Sequence, residues 1–191
     1  EDFIKHYETR VAEGATVAGK AMFVCSNRNI AYDFYKIVKE LRPKWTEKKI
    51  CDDGVVLSEK DKKELKPMEK IKLVMTRNKD DEKDLFDMLG TKEDRKEFDR
   101  QFKNPKSNFK IAIVVDMWLT GFDVPELDTI YIDKPIQQHT LIQTISRVNR
   151  VCEGKDKGLI VDYIGIKKNM NTALKKYTNF ESEEFEGVEQ S

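Results

Sequence analysis

The chain has 191 residues, and 35 lysines and arginines are balanced by 35 aspartates and glutamates, so its formal net charge is zero. This length suits one ordinary domain with an apolar core. The neutral balance gives no argument for or against nucleic acid, so any anion site has to be local. Three widely spaced cysteines, Cys25, Cys51 and Cys152, argue against a disulfide framework or a CxxC metal site and for a reduced, cytosolic protein. No stretch resembles a membrane span or a signal peptide, so we expect no membrane partner.

The first segment, residues 1–19, is predicted to be a lead-in helix followed by a linker. Phe3, Tyr7 and Val11 recur at four-residue spacing, which is typical of one helix face. The chain has no initiator Met and starts inside this helix, so we expect it to be a fragment of a longer protein.

Residues 20–166 alternate between short apolar runs and helical periodicity. The runs are rich in β-branched and aromatic residues and lie at 21–25, 71–75, 111–115, 128–132 and 158–163. Such runs are typical of strands that are buried on both faces of a parallel sheet. Helical periodicity is present at 29–41, 82–89, 92–103 and 138–150. The alternation predicts an α/β domain with an open parallel sheet and helices on both faces.

Two segments depart from this alternation. Residues 42–69 are strongly charged, and we expect them to form a peripheral insertion. Residues 167–191 contain a helix-like "KKNMNTALKKY" and end in an acidic "ESEEFEGVEQ", so we expect a short helical and acidic extension.

Ligands of open α/β sheets bind beyond the carboxyl ends of the strands, which directs attention to Ser26-Asn27-Arg28. Ser and Asn are ordinary N-caps, and capping alone would explain them. A helix N-terminus that also carries a hydroxyl and an arginine is equally suited to hold a phosphate group. Both interpretations stay open from the residues alone.

The segment "DMWLTGFDVPELD" (116–128) follows the third strand. Gly121 permits a turn or a close approach to a ligand, and Asp116 and Asp123 flank it. We rank acid–base or metal chemistry below a structural or ligand-positioning role, because no further ligand completes a site. His139, at the start of the next helix, is expected to cap or pack, and no metal site is predicted.

The helix at 138–150 combines two opposed stripes. Gln143, Arg147 and Arg150 share one narrow stripe at roughly 100° per residue, and the opposite stripe is apolar: Leu141, Ile145 and Val148. A solvated face in this chain mixes Glu and Lys, as residues 59–66 do, whereas this one has no acid. We therefore expect a partner that brings negative charge. The sequence has no glycine-rich phosphate loop of its own.

These segments, in this order, resemble the second RecA-like motor domain of superfamily 2 helicases and translocases. Ser-Asn-Arg, "VMT", "VVDMWLTGFDVPELDTIYIDKP" and "QHTLIQTISRVNR" follow the order of motifs IV to VI. Gln-x-x-Ser-Arg-x-x-Arg of motif VI falls on Gln143, Ser146, Arg147 and Arg150. Within the superfamily, "DMWLTGFDVP", "YIDKP", "TLIQTISRVNR" and "KGLIVDYIGI" are most similar to the motor (R) subunit of type I restriction enzymes.

The resemblance implies specific roles. In the family, two motif VI arginines reach the γ-phosphate of ATP held by the first motor domain, which implies this role for Arg147 and Arg150, one as an arginine finger. It implies that Gln143 helps to couple the cleft and that Gly121 and Asp123 lie near the nucleotide. The residues implied to contact DNA are Ser26, Asn27, Arg28 and Thr120. Val115 stands where many members have Thr, and Ser146 where Gly is usual.

The resemblance also implies partners. ATP and Mg²⁺ would be bound mainly by a first RecA-like domain outside these residues, so the isolated chain is expected to be inactive. The other partners would be double-stranded DNA without sequence preference, a nuclease domain of the same polypeptide, and modification and specificity subunits. The location would be a bacterial or archaeal cytoplasm. The alternatives are another superfamily 2 helicase or remodeller, or a non-catalytic α/β domain whose arginines bind an acidic or phosphorylated protein.

Overall fold

The computed structural model describes residues 1–119, 121–150, 152–155 and 158–165. Its helices are α1 Asp2–Ala12, α2 Arg28–Leu41, α3 Glu59–Glu64, α4 Lys83–Leu89, α5 Lys92–Lys103 and α6 Gln138–Val148, with a 3₁₀ turn at Pro43–Thr46. Its strands are β1 Lys20–Cys25, β2 Ile71–Val74, β3 Ile111–Val114, β4 Leu127–Asp133 and β5 Leu159–Asp162. Within these residues no helix combines the length and apolar composition needed to cross a membrane. The predicted extension at 167–191 lies outside the described residues.

The five strands form one parallel sheet in the order β2-β3-β1-β4-β5. In the register, Phe23 of β1 lies between Ile113 of β3 and Tyr131 of β4. Ile113 is paired in turn with Leu73, and Tyr131 with Val161. The predicted open parallel sheet is therefore confirmed, and all five strands present their carboxyl ends at one edge.

The sheet separates two apolar cores. Ala21, Phe23 and Cys25 of β1 contribute to one core, and Met22 and Val24 contribute to the other. Helices α1, α2 and α4 supply buried side chains to the first core, and α5 and α6 to the second. Because β1 is buried on both faces, its sequence is a continuous apolar run without alternation. The prediction of helices on both faces is confirmed.

The charged segment 42–69 is attached to the domain by apolar side chains. Trp45 packs in the first core and Met68 in the second. Lys49 and Met68 form an antiparallel bridge, with backbone hydrogen bonds of 3.0 and 2.8 Å. None of the residues of α3, in contrast, is buried. The segment is thus anchored at its two ends and carries its charge between them.

Candidate functional site

Ser26, Asn27 and Arg28 lie where β1 ends and α2 begins. The extended Asn27 is the N-cap of α2, and its side-chain oxygen accepts a 3.0 Å hydrogen bond from the Ile30 amide. Ser26 Oγ donates to the Asp133 carbonyl oxygen at 2.5 Å. The capping interpretation of Asn27 is confirmed, and Ser26 additionally ties the end of β1 to the end of β4.

Arg28 has an acidic partner that the sequence analysis did not anticipate. Its guanidinium lies 2.5 Å from both oxygens of Asp81, and it also donates to the Thr76 carbonyl at 2.7 Å. The side chain of Asp81 is almost fully buried and accepts a further hydrogen bond from the Asn78 backbone amide. Nη2 makes both contacts to Asp81 and Nη1 donates to Thr76, so two different partners fix the guanidinium plane. Arg28 therefore holds the loop after β2 against the start of α2, and much of its charge is already compensated.

The loop between β3 and β4 is fixed by aromatic packing. The rings of Trp118 and Phe122 are stacked, with centroids 4.1 Å apart and 3° between their planes. Trp118 has a φ of +68°, which is unfavourable for a bulky residue. Gly121 has a φ of +70°, and a Cβ there would meet no atom within 4 Å. Packing thus holds the loop in place while Gly121 leaves its backbone open to the outside. Thr120 lies outside the described residues.

Helix α6 brings two arginines to this loop. Arg147 donates to the carbonyl oxygens of Leu119 and Phe122. Arg150, two residues beyond the end of α6, donates to Asp123 Oδ2 at 2.6 Å. The helix itself carries no acid on this face, as expected, but the loop supplies one. The two guanidiniums consequently differ, because Arg147 is half-buried on backbone carbonyls and Arg150 is exposed in an ion pair.

Gln143 and His139 contact each other one helical turn before the arginines. The Gln143 amide nitrogen lies 2.9 Å from His139 Nε2. His139 is exposed, and the N-cap of α6 is Gln137. The expected capping or packing role of His139 is therefore wrong, since its contact is with a surface amide on the next turn.

Two lysines near the site could not be identified from the sequence, because their partners are distant in the chain. Lys134, after β4, donates to the Val115 carbonyl at 3.0 Å and pairs with Asp116. Lys155 donates to the carbonyl oxygens of Pro125 and Leu127 at 2.7 and 2.8 Å. Burial lowers the pKa of Lys155. In sequence these lysines look like ordinary surface charges, and no local signal distinguishes them.

The structure assembles the predicted site residues into two groups. One group contains Ser26–Arg28 at the carboxyl end of β1, and the other contains Gly121, Asp123, Arg147 and Arg150. Among the described residues no hydrogen bond or ion pair joins the two groups directly, and no cluster of three His, Cys, Asp or Glu side chains could hold a metal ion. The two groups are therefore separate in their direct contacts.

Comparison with known proteins identifies the family. Residues 17–165 match the family model for type I restriction enzyme subunit R domain 3. The chain belongs to this family. It is 38% identical over 181 residues to the type I restriction enzyme HindI endonuclease subunit of Haemophilus influenzae, covering 93% of this chain. It is 39% identical over 180 residues to the putative MjaIXP endonuclease subunit of Methanocaldococcus jannaschii, covering 94% of this chain. The predicted resemblance to the R subunit is confirmed.

The R-subunit relatives are much longer than this domain. The matched region covers 15% of the HindI subunit and 15% of the MjaIXP subunit. The parallel α/β sheet agrees with the fold expected of a RecA-like domain. Activities of the whole R subunit therefore have to be argued for this domain from its own residues.

Proposed function

We propose that this R-subunit domain is the second motor domain of an ATP-dependent double-stranded DNA translocase and supplies an arginine finger to ATP held by a first RecA-like domain. The observation that carries this proposal is the placement of Arg147 and Arg150 against the Gly121–Asp123 loop. A planar guanidinium that can meet phosphate oxygens in two places suits a transferring phosphoryl group. The charge that the finger meets would be the γ-phosphate.

The contacts support different roles for the two arginines. The Arg150 and Asp123 side chains are 50% and 52% exposed, and an ion pair this exposed contributes only about 0–1 kcal/mol. Arg150 can therefore exchange Asp123 for a phosphate at little cost. Arg147 is tied to two carbonyl oxygens and would position the loop that carries Asp123. We infer that Arg150 is the mobile finger and Arg147 the fixed support, with Gln143 lining the same face.

The chain fits a shared nucleotide site and not a complete one. The open backbone at Gly121 and the exposed Arg150 could line ATP from one side. The sequence has no phosphate loop, so ATP and Mg²⁺ would be held mainly by the first motor domain. When bound, ATP would supply the free energy for closing and reopening the cleft between the domains. The isolated domain would accordingly be inactive.

The start of α2 would contact the DNA backbone. Free amide groups of its first turn, together with the side-chain NH2 of Asn27, could bind a phosphate. Ser26 could join them by exchanging its bond to the Asp133 carbonyl for the phosphate, and Arg28 would contribute mainly by holding this turn in place. Thr120 is a further candidate. Contacts of this kind do not read base sequence. Target choice and cleavage would thus belong to the specificity and modification subunits and a nuclease domain, in a bacterial or archaeal cytoplasm.

DNA-stimulated ATP hydrolysis by the R subunit tests the proposal directly. Replacing Arg150 with Ala should lower turnover by about 10³-fold, because transition-state arginines contribute on this scale, while ATP binding and thermal stability stay close to wild type. Arg100→Ala is a matched control, since Arg100 also forms an exposed ion pair, with Glu97 on α5. Unchanged turnover in Arg150→Ala would overturn the motor proposal and favour a non-catalytic interaction domain.

A further inference from the structure

A stripe of apolar side chains on α2 is exposed in the part of the chain that the structure describes. Ile30, Phe34, Ile37 and Leu41 fall within an arc of about 60° on the helix. Ile30, Ile37 and Leu41 are 41%, 51% and 37% exposed, and Phe34 is half-buried. The side chains that α2 buries lie on a neighbouring arc: Ala31, Tyr35 and Val38. The apolar surface of α2 is therefore wider than the part that the sheet covers.

The stripe leads into a small pocket with aromatic walls. The cavity has a volume of about 260 Å³, and its walls include Phe3, Phe23, Phe34 and Tyr163. The rings of Phe23 and Phe34 are stacked with centroids 4.0 Å apart, and Tyr163 lies over Phe23 at 5.9 Å. This volume is below that of typical small-molecule sites, and it suits a single side chain.

Carboxylates stand at the rim of the same pocket. Asp133, the last residue of β4, and Asp2 both line it. Asp2 accepts a hydrogen bond from the Tyr163 hydroxyl at 2.8 Å. Among the described residues no donor pairs with the Asp133 carboxylate, although the Asp133 carbonyl accepts from Ser26. Aromatic faces together with carboxylates attract a cation and repel a phosphate.

We propose that this surface docks a segment of the R subunit outside this domain, which covers the α2 stripe with apolar side chains and places an arginine or lysine in the aromatic pocket. Charge complementarity identifies the occupant as cationic, and the uncovered stripe identifies the flanking residues as apolar. The matched relatives are long enough to supply it, since this domain covers 15% of their length. DNA does not fit as the occupant of the pocket itself, because Asp2 and Asp133 line it and would repel a phosphate. The proposal does not depend on Arg147 or Arg150.

The pocket can be tested with a small cation on the chain itself. N-acetyl-arginine amide should shift the ring resonances of the pocket aromatics in NMR spectra, and the neutral isostere N-acetyl-citrulline amide should bind at least about fivefold more weakly, since a cation–π contact contributes on this scale. Asp133→Asn, which keeps the shape of the side chain, should weaken binding of N-acetyl-arginine amide by a similar factor. Asp80→Asn, at an exposed carboxylate in another loop, should not. Equal binding of the two probes, or no shift with either, would overturn the pocket assignment.

The occupant can be identified in the R subunit by photo-crosslinking. A benzoyl-phenylalanine replacing Ile37 should crosslink to a segment outside residues 1–191 that has Arg or Lys next to apolar residues. The same group replacing Lys60, an exposed position on α3, should not reach that segment. Crosslinks to DNA, to a second copy of the R subunit, or to no peptide would each overturn the proposed docking. Arg150→Ala should lose ATP hydrolysis if the motor proposal is right, but it should leave the crosslink unchanged. The two proposals can therefore fail independently.

Discussion

Asp123→Asn separates the contact that holds Arg150 from the contact that Arg150 would make during catalysis. The pair has a 2.6 Å separation, and both side chains are about half exposed to solvent. Asn keeps the size of the side chain and one acceptor oxygen, but it removes the negative charge. Because exposed ion pairs contribute about 0–1 kcal/mol, the free energy of unfolding should fall by less than about 1 kcal/mol.

The small free energy of the Arg150–Asp123 pair also limits the effect of Asp123→Asn on ATP hydrolysis. If Arg150 has to leave Asp123 to meet the γ-phosphate in the transition state, breaking the pair adds up to about 1 kcal/mol to the activation free energy. Removing the charge should therefore raise kcat by up to about fivefold and leave the KM for ATP within about twofold. This change in kcat is opposite in direction to that of Arg150→Ala, which should reduce kcat by about 10³-fold.

The assay is DNA-stimulated ATP hydrolysis by the R subunit for the wild type, Asp123→Asn, Arg150→Ala and the double variant. The double variant should match Arg150→Ala, because Asp123 acts only through Arg150. Asp53→Asn is a suitable control, since it removes an exposed pair with Lys49 on the peripheral insertion. A fall in kcat of more than about tenfold in Asp123→Asn alone, with Arg150 intact, would refute the reasoning, because the carboxylate would then itself contact the reacting groups.

Three further predictions concern stability. Burial raises the pKa of the Cys25 thiol to about 12, so the folded state retains a proton that the unfolded chain releases near pH 9. In urea unfolding, the wild-type free energy of unfolding should therefore fall between pH 8 and pH 10 by about 1.4 kcal/mol more than that of Cys25→Ala. An equal fall in the two proteins would contradict this. A Cβ on Gly158 would lie 2.0 Å from the Val148 carbonyl oxygen, whereas a Cβ on Gly14 would meet open space. Gly158→Ala should therefore lower the melting temperature far more than Gly14→Ala, which costs about 1 kcal/mol for its left-handed backbone. Comparable melting temperatures of the two variants would contradict the predicted clash. Asn27→Ala should cost about 1 kcal/mol in chemical denaturation and Asn27→Ser much less, since only the latter keeps the cap; identical losses would show that the cap does not stabilise α2.

The positions of the strands and helices could be predicted from sequence because each is set by local pattern. β1 and β3 are buried on both faces, so they are continuous apolar runs. Each strand and helix predicted between residues 20 and 165 ends within two residues of its position in the structure. The strand order could not be predicted in this way. After β1, helix α2 leads to β2, which leaves a place beside β1 that β3 fills later. No single segment of the sequence encodes that placement.

The same division applies to the site. The stripe of Arg147 and Arg150 follows from helical periodicity, but its contacts do not. Leu119, Phe122 and Asp123 are 25 to 28 residues earlier in the chain, and only the fold brings them to the arginines. Lys155 gives the strongest example, because its sequence context, "CEGKDKG", suggests an exposed turn, yet the residue is 4% exposed and bonded to two carbonyls.

The contacts around β4 offer a physical link between the two groups of site residues. Ser26 at the proposed DNA contact is bonded to the Asp133 carbonyl, and the next residue, Lys134, reaches Val115 and Asp116 at the start of the β3–β4 loop. The same loop ends against Arg147 and Arg150. A shift of the α2 start on DNA would therefore act on the loop that positions the arginine finger. In a motor of the proposed kind, this loop would be the element whose arrangement both ligands bias, which is the physical requirement for DNA to stimulate ATP hydrolysis.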